Sequence, residues 1–160
     1  MEIQVISTAF SDGERIPKKY TGEGEDVSPP ISWSNVPEGT KELVLICDDP
    51  DAPTEEPWVH WVVYKIPVAA EGLPEGLPNI PRLKNPSGAF QGKNSWNHGH
   101  TIGYRGPMPP PDHGVHHYRF TVYALRVKLT AEVGLSKTAV MTDMHDYIIG
   151  EGRLTGTYQR

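Results

Sequence analysis

Residues 103–127 read GYRGPMPPPDHGVHHYRFTVYALRV, a loop crowded with glycine and proline that runs directly into the longest strand-like segment of the chain. From 117 to 127 the residues are rich in aromatic and β-branched types, which suit a pleated, partly buried surface. Period-2 alternation places His116, Tyr118, Phe120, Val122 and Ala124 on one face, and His117, Arg119, Thr121 and Tyr123 on the other. An imidazole and a phenol therefore stand two residues apart on one face, where the strand leaves the loop. Pro107, Pro109, Pro110 and Pro111 stiffen that loop, and Gly106 allows a ligand to come close to the backbone. The loop is not a nucleotide phosphate cradle of the Gly-Lys-Ser/Thr kind, because a strand follows it and not a helix.

Working outward, residues 2–6, 31–36, 42–48 and 58–66 read as further strands, bounded by Pro, Gly and Asp. Alternation along the last of these puts Trp58, His60, Val62 and Tyr64 on one face. Residues 68–95 show no period and read as a long surface excursion, a length that usually serves a function. One helix is expected from about Ser136, where Val140, Met141, Met144, Tyr147 and Ile148 recur at helical spacing. Ser136 or Thr138 caps its start and Gly150 or Gly152 ends it, with 153–158 returning as an edge strand. Nothing marks a linker or a repeat, so residues 1–160 read as one mainly β domain, a sandwich with a late helix.

Composition agrees. Glycine and proline, 16 each among 160 residues, make one residue in five, against about 12% on average. Their irregular spacing excludes collagen, and 37% hydrophobic with 22% charged residues excludes a disordered chain. Fifteen basic against 20 acidic residues give a net charge of −5 with no basic run, which argues against a nucleic-acid partner. A single cysteine, Cys47, leaves no intrachain disulfide and no cysteine-based zinc site. The apolar runs at 43–47 and 61–64 are too short to span a membrane, and the first residues lack a signal-peptide pattern. A soluble cytoplasmic protein is the expectation.

Two clusters carry chemistry. The first is Asp48-Asp49-Pro50-Asp51-Ala52-Pro53, after an apolar strand. Its aspartates can simply close a turn, or Asp49 or Asp51 can orient a histidine. His60 is the near candidate, either as a packed core residue or as a pocket residue. The second cluster is the Gly106-Pro107 loop with His116 and Tyr118. Two imidazoles, one phenol, an orienting carboxylate and backbone N–H groups suit a small oxyanion, with Trp58 as an apolar wall. Five of the seven histidines lie between 98 and 117, which raises a metal reading, but their spacing fits no standard site. A metal- or acid/base-dependent hydrolase using this His-rich stretch is the alternative, though neither a Gly-x-Ser-x-Gly elbow nor a cofactor motif accompanies it.

These two clusters, in this order, resemble the signature regions of the phosphatidylethanolamine-binding, or Raf-kinase-inhibitor-like, protein family, in its short prokaryotic branch. The likeness extends to Phe10, Asp12-Gly13, Ile16-Pro17 and Tyr20-Thr21, to Ser28-Pro29-Pro30-Ile31 with Trp33, and to Tyr123-Ala124-Leu125. It implies a β-sandwich with Greek-key strands and one or two short helices near the C-terminus. It also implies an anion pocket lined by Asp49, His60, Gly106-Pro107, His116 and Tyr118, with Asp51 and Pro53 at the rim. The implied function is a non-enzymatic binding protein for phospholipid headgroups, phospho-ligands or phosphorylated partners. A kinase partner, a homodimer and no cofactor follow from the same resemblance. Three positions depart from the family's pattern: His117 stands where arginine is usual, and Gly22 and Met108 where cysteines are common.

Overall fold

The structure, a computed structural model, describes residues 2–160. In chain order the strands are β1 (Gln4–Ile6), β2 (Ile31–Ser34), β3 (Glu42–Asp49), β4 (Trp58–Pro67), β5 (Gly72–Leu73), β6 (Arg82–Lys84), β7 (Ser87–Gln91), β8 (His116–Leu125) and β9 (Ile148–Tyr158). Helix α1 (Lys137–Met144) lies between the last two. The main sheet runs β6-β7-β4-β3-β8-β9 and a smaller one runs β1-β2-β5, with every pairing antiparallel. The order β8-β3-β4-β7 brings the last of four strands back beside the first, the Greek-key arrangement.

The main sheet is covered on both faces, which explains why β3 is buried at every position and carries the unbroken apolar run 43–47 between its acidic ends. Leu43, Leu45 and Cys47 join the core between the two sheets, where Trp61, Phe120 and Val122 meet Ile3, Ile31 and Trp33. Val44 and Ile46 point the other way, onto Leu129, Val140 and Met144. Each such side chain contributes roughly 1.5–3 kcal/mol of burial.

The single face expected along β4 does not hold. Cys47 pairs with Trp61 but Asp48 pairs with Val59, so His60 is an extra residue, a β-bulge. Val62 and Tyr64 face the helix-side core, whereas His60 turns onto the inter-sheet side and packs against Tyr118. One inserted residue has changed the phase of the strand.

The excursion is also more ordered than expected, since it contains β5, β6 and β7. These strands are too short for a period to show in the sequence. Gln91 anchors them: its amide accepts from Trp61 Nε1 at 2.8 Å and donates to the Pro78 and Ile80 carbonyls at 2.7 and 2.8 Å. Gln91→Ala leaves these buried groups unpaired and should cost about 2 kcal/mol, read by urea denaturation. An unchanged midpoint would show that water replaces the amide.

Ser136 caps α1, its Oγ accepting from Ala139 N–H at 3.2 Å. The helix stops at Met144 and passes through a 3-10 turn, and Ile148, Gly150 and Gly152 belong to β9, not to a helix end. A side chain at Gly152 would collide with the Ile3 carbonyl, so this glycine lets β1 lie against β9. The expected edge strand is present, and longer than 153–158.

Candidate functional site

The central strands β4, β3 and β8 bring their Trp58, Asp49 and His116 ends together at one end of the main sheet. There the three aspartates of the acidic turn separate into three roles. Asp48 bonds Arg119 Nε at 2.8 Å and Lys137 Nζ at 2.7 Å. Burial would raise its pKa, but these two cations outweigh that and hold it below the usual value. Asp51 accepts from both the backbone N–H and the ring Nδ1 of His117, each at 2.8 Å. Burial opposes this too, and the His117 bonds again leave the carboxyl below its usual pKa. His117 therefore turns away from the site, as alternation places it, and meets a carboxylate there.

Asp49 does what both readings of the turn require. One oxygen accepts from Asp51 N–H at 2.8 Å and closes the turn, while the other accepts from His116 Nδ1 at 2.6 Å. Both residues are buried, with 3% and 1% exposure, so water does not compete for the bond. The carboxylate fixes the imidazole's orientation and leaves Nε2 as its outward atom.

His60 has a polarity different from the one expected. Its Nδ1–H donates to the Arg105 carbonyl at 2.6 Å, which makes Nε2 a lone-pair acceptor. Burial lowers its pKa to about 4. His60 is therefore a neutral acceptor near pH 7 and not an anion donor. Its ring edge-packs against Trp96 at 4.9 Å and Tyr118 at 5.0 Å. The Tyr118 hydroxyl is held protonated, because burial and then the nearby Asp49 push its pKa well up. That hydroxyl is not a sealed, orphaned atom: Tyr118 lines the cavity, and no hydrogen bond among the described residues uses its oxygen.

A cavity of about 250 Å³ opens over these groups. Of the residues expected at the site, Asp49, His60, His116 and Tyr118 line it with Pro53 and Trp58. Ala52, Thr54, Trp96, Met108, Pro109 and Pro110 complete it, and these the sequence reading did not place in a site. The available signal for Trp96 was a lone tryptophan in a polar loop. Asp51, Gly106 and Pro107 stand outside the lining. Gly106 N–H is already bonded to Asp26 Oδ1 at 2.7 Å, and the Pro107 carbonyl accepts from Gly22 N–H at 2.9 Å. These two residues tie the loop to the N-terminal segment, and a side chain at Gly106 would strike the Tyr20 carbonyl. A larger trough of about 710 Å³ lies across Trp58, without the His116–Asp49 pair.

The histidine-rich stretch does not converge as a whole on one point. His98 and His100 are exposed near the 3-10 turn Trp96–Gly99, and among the described residues no three or more His, Cys, Asp or Glu groups are placed to hold a metal. Cys47 is buried, and burial followed by Asp48 and Asp49 raises its thiol pKa well above the usual value. Such a thiol is inert. Among the described residues no helix is long and apolar enough to cross a membrane.

Comparison with known proteins places the fold. The model of the family described as phosphatidylethanolamine-binding protein matches residues 6–159. A UPF0098 protein of Methanothermobacter thermautotrophicus is 49% identical over 95% of each chain. One from Aquifex aeolicus is 45% identical, over 99% of this chain and 89% of the relative. Among solved structures, Escherichia coli YbcL, described as a member of the mammalian PEBP family, superposes with a TM-score of 0.91 at 34% identity, covering 100% of this chain and 99% of its own. A PEBP homologue from Chlamydia trachomatis gives 0.86 at 40% identity, over 99% and 98%. With its two sheets, short late helix and the Asp49–His116 end of the main sheet in place, the chain belongs to the phosphatidylethanolamine-binding protein family.

Proposed function

We propose that the protein is a non-enzymatic binding protein whose cavity takes phosphate-like anions, carried by a phospholipid headgroup, a small phospho-ligand or a phosphorylated partner. The observation that carries this reading is the Asp49–His116 bond of 2.6 Å, buried beside the free Tyr118 hydroxyl at a cavity wall. With Nδ1 committed to Asp49, His116 meets a ligand only through Nε2. Protonated there, it is a cation whose counter-charge already sits behind it. Trp58 and Trp96 pack edge-on at 5.5 Å and wall the cavity, and a charge-assisted hydrogen bond strengthens where water is scarce. The family's name, for a phosphate-bearing lipid, points the same way. Cytoplasmic residence, a homodimeric state and regulation of a kinase or other enzyme are proposed with this reading.

Inorganic phosphate titrated against the protein should give a saturable change in tryptophan fluorescence. His116→Ala should weaken it by at least about tenfold, the equivalent of one charge-assisted bond. Equal responses from both proteins, or none from either at millimolar phosphate, would overturn the reading.

An imidazole oriented by a carboxylate is also a general-base arrangement, so an acid/base hydrolase is the second reading. With Cys47 inert, such an enzyme would activate water. Turnover of phosphomonoesters that disappears in His116→Ala would favour it.

A further inference from the structure

The atom an anion needs, His116 Nε2, is already engaged in this structure. Nδ1 of His113 lies 2.7 Å away, and the two rings pack with centroids 4.9 Å apart. A nitrogen–nitrogen contact of that length contains one hydrogen, so two imidazoles share a single donor.

We infer that His113 belongs to the binding site, and that a terminal phosphate enters between the two rings, each then donating one hydrogen bond to a different phosphate oxygen. This rests on the anion reading above. The ring that moves is His113, which is exposed, whereas His116 is 1% exposed and held by Asp49. Among the described residues His116 is the only hydrogen-bond partner of the His113 ring. The flanking Asp112 and Gly114, at φ 60° and 86°, belong to the loop and not to the sheet, so no ladder restrains the ring.

The scarcity of other donors around the cavity calls for a second imidazole. No lysine or arginine lines the cavity, and His60 is a neutral acceptor. The titratable groups facing the pair are Asp49 on β3, His60 on β4 and Tyr118 on β8, with Asp51 in the acidic turn. Asp49 holds the Nδ1 side of His116, which leaves that ring one nitrogen for a ligand, and His113 supplies the second ring donor.

The donor count sets the ligand class. His116, His113 and Tyr118 offer three donors, matching the three unsubstituted oxygens of a phosphomonoester. A phosphodiester has two and carries one negative charge less, so two of the donors must share an oxygen, with poorer geometry for one of them. The site therefore prefers monoesters and inorganic phosphate to diesters.

Calorimetric titration of inorganic phosphate, phosphoethanolamine and glycerophosphoethanolamine tests this, since the last two share a headgroup and differ in esterification. The wild type should bind the monoester roughly tenfold more tightly than the diester, the size of one such bond. His113→Ala should lose that preference and weaken phosphate roughly tenfold, and His113→Asn, whose amide N–H replaces Nδ1–H, should recover part of both. His113→Ala binding phosphate as tightly as wild type, or more tightly, would show a mere competitor for Nε2 and overturn the inference. So would a wild type that prefers the diester. A wild type that binds none of the three fails the anion reading itself, a distinct result.

Discussion

Asp49→Ala should abolish phosphate binding and lower the thermal midpoint by about 10 °C, following a loss of about 3 kcal/mol at roughly 2–4 °C per kcal/mol. The size follows from what the carboxylate does: it satisfies Asp51 N–H at 2.8 Å and His116 Nδ1–H at 2.6 Å, the second of these bonds between two buried residues. Alanine leaves the buried His116 Nδ1–H without an acceptor, takes the partner of Asp51 N–H away, and releases the turn that carries Pro53 into the cavity wall. The imidazole also loses the partner that directs its Nε2, so binding falls with stability. Scanning calorimetry with and without phosphate checks both. A midpoint unchanged by the substitution, with binding retained, would mean that Asp49 neither holds the turn nor orients His116.

Mild acid should destabilise the protein through His60. Its pKa is lowered from 6.5 to about 4 by burial, so between these values the unfolded chain binds a proton that the native chain refuses. Stability therefore rises with pH through this window. It is complete above about 6.5 and falls by about 3 kcal/mol as the pH drops to 4. The lowered carboxyls of Asp48 and Asp51 have the usual acid sign too, but their share is lost mainly at pH values below the ordinary carboxylate range. Urea denaturation at pH 7 and pH 4 separates the contributions. His60→Gln, which keeps an N–H for the Arg105 carbonyl, should lose about 3 kcal/mol less than wild type over that interval. Equal losses would place the acid sensitivity elsewhere.

The strands β3, β4 and β8 were legible because each is long enough for aromatic, β-branched and turn residues to reinforce one another. Asp49, His60, His116 and Tyr118 were legible as residue types at strand ends facing stiff loops. What escaped was whatever depends on partners distant in the chain. Gly106 looked like a backbone donor for a ligand, but Asp26, eighty residues earlier, takes that N–H. Trp96 sits in a segment without a period and gains its role only by packing on Trp58 and His60. The donor or acceptor character of His60 depended on one carbonyl, and no spacing rule records a carbonyl. The strands β5 to β7 were lost for another reason: at two to five residues they are shorter than the pattern that would reveal them.

The bulge at His60 has a further consequence for how this architecture can diversify. It acts as a mechanical clutch within β4, disengaging the cavity end of the strand from the end that packs both cores. Residues before it can exchange, and the acidic turn can lengthen or shorten, without carrying a change of face into Trp61, Val62 and Val63. New ligand preferences can therefore arise on this scaffold from a handful of positions around one mouth, while the load of folding stays on strands that never need to change.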